Sequence, residues 1–229
     1  MYFGHYAVAT AVKAKKPETP VMPIFLATGA LDIMNGLFIM AGIDKVTANL
    51  NTKPYLYFDL SYIDWDHSLL MGVVWSVLAG LLAYLFYQKD RRLGLLTMGV
   101  AFSHWLLDLP LHNGDMALYP GSAIKLGWGW WGLLGEYGWH LEVIFSLMLL
   151  YYAYQKSKEN GETIWPQMLL MGLLMANMSP WLSPMKTVAT FMEPWAHLTH
   201  GFAVFMGFVI PAFIFKWLYK KTGEKALKS

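Results

Sequence analysis

What most restricts this chain is a set of long apolar runs. Leu69 to Phe86, Leu93 to Leu107, Leu141 to Tyr154 and Gly201 to Tyr219 carry almost no charge and approach the ~20 residues that an α-helix needs to cross a bilayer. In lipid the backbone must bond to itself, which a helix achieves. Hydrophobic residues make up 56% of the chain and charged ones 14%, where a soluble domain carries roughly 25% charged. A water-soluble fold of this size has too little interior to hide that excess. The sequence therefore predicts an all-α, polytopic membrane helical bundle, a single domain over residues 1–229, with membrane lipid as its solvent.

About six transmembrane helices are expected: Pro23 to Gly42, His67 to Gln88, Leu93 to Leu111, Gly138 to Tyr154, Trp165 to Leu182 and Trp195 to Tyr219. Ahead of them a short helix, Tyr2 to Val12, closes at Lys13, Lys15 and Lys16 and then at Pro17 and Pro20. Too short to span, it is expected to dip into the membrane. Its lysines follow its apolar stretch, the reverse of a cleaved signal peptide. Of the 17 Lys and Arg, 13 fall in the N-terminal turn, in Lys89/Arg91/Arg92, in Lys156/Lys158 and in the tail from Lys216. The alternate connections hold only Lys45, Lys53, Lys125 and Lys186. Basic loops stay cytoplasmic, which places the N-terminal basic turn and the C-terminus inside. Trp128, Trp130, Trp131, Trp139, Trp181 and Trp195 are expected as an outer aromatic belt, and Asp44, Asp59 and Asp64 as solvated loop residues. The net charge of +2 is spread over separate loops, so no basic face is offered to nucleic acid.

Ionisable side chains within spans are costly and mark functional sites, so their depth is informative. Counting ~1.5 Å per residue from the basic loops puts Asp32 and His104 roughly 18 Å away, Asp108 a turn beyond, and His140 and His200 roughly 24 Å away. His67 opens the second span and His112 follows the third, both at the outer surface. His5 reaches the same height if its helix dips in from outside. All seven histidines then occupy one slab in the outer half of the membrane. His104, Asp108 and His112 are four apart, and His197 and His200 three apart, each set along one helix face; Pro110 is positioned to bend the last turn of the former.

No cysteine is present, so a metal must be held by imidazole and carboxylate. That is the ligand chemistry of zinc first, and also of iron, manganese or copper. His140, Glu142, His197 and His200 form a second candidate cluster. For a lone intramembrane histidine the competing reading is a hydrogen-bonded contact between helices. Two buried carboxylates, Asp32 and Asp108, weigh against that reading for His104, because each needs its own cation or proton.

The strings FGHYAVATA, GALDIMNG, DHSLL and FSHWLLD, in that order, resemble the family of LexA-regulated inner-membrane metal-dependent hydrolases of bacteria and archaea. Its pattern is an N-terminal G-H, then P-D-[IL]-D, then H-R-x-x-T-H-S-[LI], then S-H-x-x-x-D followed by T-P-x-G. The resemblance covers the first half of the chain. It implies metal ligands at His5, Asp32, His67, His104 and Asp108, hydrolytic activity, and the prokaryotic inner membrane. Met34 stands at the pattern's second Asp, with Asn35 beside it; Tyr62 stands at its first His and Asp66 at its Thr. His112 falls near the T-P and is the candidate replacement ligand.

The expected function is hydrolysis of a lipid-like or small amphiphilic ester near the outer leaflet. A divalent ion, held by His67, His104, Asp108 and Asp32, polarises the scissile group and acidifies water, and Asp66 takes the proton. The alternative is a non-hydrolytic membrane protein that binds a metal or cofactor for transport, redox chemistry or complex assembly, a reading motivated by the second cluster.

Overall fold

The computed structural model describes residues 1–52 and 57–226; Lys53 and Lys228 of the charge argument lie outside the described residues. In chain order the elements are α1 (Phe3–Lys15), α2 (Val21–Ala27), α3 (Ala30–Met40), β1 (Lys45–Ala48), β2 (Phe58–Tyr62), α4 (Asp64–His67), α5 (Leu69–Phe86), α6 (Arg91–Leu111), α7 (Trp130–Leu134), α8 (Tyr137–Glu159), α9 (Trp165–Asn177), α10 (Met185–Val188) and α11 (Trp195–Ala226). The protein is mostly helical. α5, α6 and α11 are long and apolar enough to cross a membrane, and α2 with α3 adds a fourth if the pair is one broken span. The expected helices from Gly138 and Trp165 form as well. However, α8 carries Glu142 near one end and Lys156, Lys158 and Glu159 at the other, and the 13 residues of α9 extend only ~20 Å.

Sequence and packing agree on why these helices associate. α5 leaves Val73, Val77, Leu81 and Leu85 exposed, an apolar stripe four residues apart that suits lipid rather than water. Its other face carries Gly80, where an added Cβ would lie 2.7 Å from Gly94 O of α6. α3 and α11 approach as closely, through Gly36 and Gly201. Small residues at such crossings let backbones touch where hydrophobicity gives no drive to associate. α1 is buried along most of its length. Its Gly4, Ala7, Ala11 and Ala14 recur every three or four residues, and it lies along α8, whose buried Gly138, Glu142, Ser146 and Ala153 follow a similar spacing.

Lys13, Glu162, Lys216 and Lys220 line one cavity together with Tyr87 of the α5–α6 turn, so the basic segments gather at one end of the molecule, as their alternation along the chain implies. Three expectations are corrected. The helix Pro23 to Gly42 breaks at Thr28 and Gly29 with a 57° bend. The connection after α3 contains an antiparallel hairpin, with Val46 opposite Leu60 and Ala48 opposite Phe58; Phe58 is buried against Met185 and Val188, which gives these short strands a face to pack. Finally, Asp44 and Asp64 are buried rather than solvated. Asp64 pairs with Lys125 at 3.2 Å and accepts from Gly121 N at 2.9 Å. Burial, and then the neighbouring Asp66, push the Asp44 carboxyl up to about 8.

Candidate metal centre

Four elements deliver the site. α1 supplies His5 near its start, α3 supplies Asp32 in its first turn, and α4 ends on His67, just before Ser68 caps α5 by accepting from Met71 N. α6 supplies His104 and Asp108 one turn apart, with His112 at its C-cap. Trp105 Nε1 donates to His67 O at 2.9 Å and holds α4 against α6. The break between α2 and α3 leaves Thr28 O facing His104, whose Nδ1 it holds at 2.7 Å; Thr28 Oγ1 donates in turn to His5 O at 2.7 Å.

Asp108 meets all four histidines, and Asp32 meets two of them. Asp108 Oδ2 lies 3.0 Å from His104 Nε2, 3.6 Å from His67 Nε2 and 3.8 Å from His112 Nε2. Asp108 Oδ1 lies 3.2 Å from His5 Nε2, and the Met1 α-amino group also rests against this oxygen. Asp32 Oδ1 is 3.6 Å from His67 Nε2 and Oδ2 is 3.4 Å from His104 Nε2. All except Asp32, which is 17% exposed, are buried. Three overlapping triads have ligand atoms close enough to hold an ion: His5/His104/Asp108, Asp32/His67/His104 and His67/Asp108/His112. Together they comprise six of the residues that spacing and depth single out; His140, His197 and His200 are not among them.

Hydrogen bonding alone does not account for this arrangement. Both ring nitrogens of His5 and of His67, with His104 Nε2 and Asp108 Oδ2, are buried without an aligned hydrogen bond, although several of them stand 3.0–3.2 Å from an opposite partner. Tetrahedral ligands ~2.1 Å from a zinc ion stand ~3.4 Å apart, the middle of the separations found here. Two of the outer ring nitrogens are hydrogen-bonded as in metal-binding histidines, His104 Nδ1 to Thr28 O and His112 Nδ1 to Asp115 Oδ2 at 3.2 Å, and His67 Nδ1 faces Asp66 Oδ1 at 3.1 Å. Burial opposes the charge on Asp115, but His112 outweighs it and holds that carboxyl below its ordinary range. The residues present fit a divalent ion. No family model, curated protein or solved structure matches this chain.

The second expected cluster does not assemble. His140 is exposed, with Nδ1 on Glu136 O of its own helix. Glu142 is buried and accepts from Tyr2 N at 2.7 Å and Gly4 N at 2.9 Å, anchoring the start of α1. His197 pairs with Glu193 at 2.6 Å, and His200 lies against Phe58. Among the described residues none of these joins a metal-capable group. Asp66 is fully buried behind His67. Trp131, expected in the belt, is buried against His112 with ring centroids 4.4 Å apart, whereas Trp128, Trp181 and Trp195 are exposed. Thr28 and Asp115 were not singled out by sequence, although Asp115 follows His112 by three residues and Thr28–Gly29 is a helix-breaking pair one turn before Asp32.

A cavity of about 180 Å³ adjoins the cluster. Asp32 and His112 form part of its wall; Trp131, Met178, Met185 and Phe208 make the rest largely apolar.

Proposed function

We propose that this chain is a membrane-embedded, metal-dependent hydrolase acting on a lipid-like or small amphiphilic ester, with zinc as the first-choice ion. The observation that carries the reading is the convergence of three imidazoles on Asp108 Oδ2 beside an apolar cavity. The resemblance of the GHYAVATA, DHSLL and SHWLLD strings to inner-membrane metal-dependent hydrolases supports it. A divalent ion bound there supplies Lewis acidity to a carbonyl or phosphoryl oxygen and acidifies water. The protein's own part is positional. His67, His104 and Asp108 hold the ion, and Trp131, Met178 and Phe208 receive the apolar body of the substrate. Asp32, on the cavity wall, accepts a hydrogen bond from a water entering between substrate and cluster. We assign Asp66 to orienting His67 rather than to proton abstraction, because it lies behind that ring and not on the cavity wall. In this reading α8, α9 and the broken α2–α3 pair join α5, α6 and α11 as about six spans, in a prokaryotic inner membrane, with the basic end cytoplasmic and the cavity near the outer leaflet. The transport, redox or complex-assembly alternative loses the His140/Glu142/His197/His200 cluster that motivated it, since those residues join no metal-capable group among the described residues.

The test uses purified full chain in detergent micelles, with metal analysis and a panel of nitrophenyl esters and phospholipids. His104→Ala and Asp108→Ala should lose metal and turnover together while circular dichroism stays helical. Stoichiometric metal in both variants, or turnover that survives chelation, would refute the reading.

A further inference from the structure

The six ligands exceed what one zinc ion can use. A catalytic zinc takes three protein ligands and keeps a position open, and even a closed site takes four. The four histidines sort into two stacked pairs: His5 and His104 with ring centroids 3.7 Å apart and planes 8° apart, and His67 and His112 at 5.3 Å and 24°. Because Nδ1 is hydrogen-bonded in His104 and His112 and turned to Asp66 in His67, each of these presents one nitrogen, Nε2, to the cluster and can serve only one ion. Asp108 lies between the pairs, with Oδ1 toward His5 and the Met1 α-amino group, and Oδ2 toward His67 and His112 on one side and His104 at 3.0 Å on the other. Asp32 likewise presents Oδ1 to His67 and Oδ2 to His104.

We propose a dinuclear centre: one ion on His5 and His104, a second on His67 and His112, bridged by Asp108 through its two oxygens and flanked by Asp32. This rests on the metal-binding part of the function proposed above. Carboxylate-bridged ions stand about 3.5–4 Å apart, a spacing that the two pairs can serve from opposite sides of one carboxylate. A third ion would have no histidine left to bind it.

The test is stoichiometry, independent of any substrate. Full chain in detergent, stripped with chelator and dialysed against zinc, should retain two zinc per chain. Loaded with manganese it should show an exchange-coupled electron paramagnetic resonance spectrum in place of the isolated six-line signal. His5→Ala and His112→Ala should each fall to one ion. One ion in the unmutated protein, or an uncoupled manganese signal, overturns the dinuclear centre and leaves a single-ion hydrolase standing; no ion at all overturns both. Two coupled ions with no esterase or phospholipase turnover would keep this proposal and remove the hydrolytic one.

Discussion

Gly36→Ala is a one-methyl test of the packing that sets the metal centre. At Gly36 an added Cβ would lie 2.5 Å from Gly201 O and 2.6 Å from Phe205 N, both backbone atoms of α11 that no rotamer change can move. Ordinary contact begins near 3.4 Å, so the helices must part by about 0.9 Å. Overpacking of this kind costs up to ~3 kcal/mol, offset by the ~1 kcal/mol that Ala gains over Gly in a helix. A net loss of ~2 kcal/mol lowers Tm by ~4–8 °C for a chain of this size. Asp32 lies one turn before Gly36 on α3, so the same displacement pulls its oxygens from the 3.4 and 3.6 Å they hold to His104 and His67. Zinc affinity should fall on the order of 10–100-fold, as it does when ligand support is lost. Gly99→Ala is the control, since its Cβ meets nothing within 4 Å and should be neutral or mildly stabilising. The assays are thermal unfolding in detergent and zinc titration. If Gly36→Ala matches Gly99→Ala in Tm and binds zinc as the unmutated chain does, the claim that this crossing fixes the site is wrong.

Asp66→Asn should weaken metal binding on the order of 10–100-fold yet recover turnover at saturating metal; a loss that metal cannot rescue would return Asp66 to the role of base. For Asp44 the folded carboxyl keeps its proton up to about 8 whereas an unfolded one loses it near ~4. Its contribution is therefore present below the lower value and lost as pH rises through the higher one. Asp44→Asn should flatten Tm across that window and leave the variant more stable than the parent at the alkaline end; a parallel pH profile would contradict this. Glu142→Gln weakens the charge-assisted bonds to Tyr2 N and Gly4 N by ~1 kcal/mol. It should lower Tm by ~2–4 °C and loosen metal through His5, as read by unfolding and titration.

The cluster was legible because cost and spacing both point to it. His104, Asp108 and His112 recur every four residues on one helix, and a buried acid needs a cation wherever it lies. Equal depth misled for the second cluster because depth says nothing about azimuth. His140 and Glu142 are two residues apart, so they face different sides of α8, one exposed and one buried. The hairpin escaped because four- and five-residue strands carry too little alternation to stand out in a loop rich in polar residues. The helix break escaped because Thr28 acts through its carbonyl, which composition does not register.

That last contact has a consequence for how the protein can vary. The acceptor that aims His104 belongs to the main chain, so every amino acid at position 28 supplies it equally, and selection on His104 orientation falls instead on whatever keeps the chain bent at Gly29. A substitution screen scored on metal retention should find position 28 sensitive only through the hydroxyl that Thr28 gives to His5 O, so that Ser is accepted there, and Gly29, packed under Phe208, intolerant: the aim of His104 is set at a residue that never touches it.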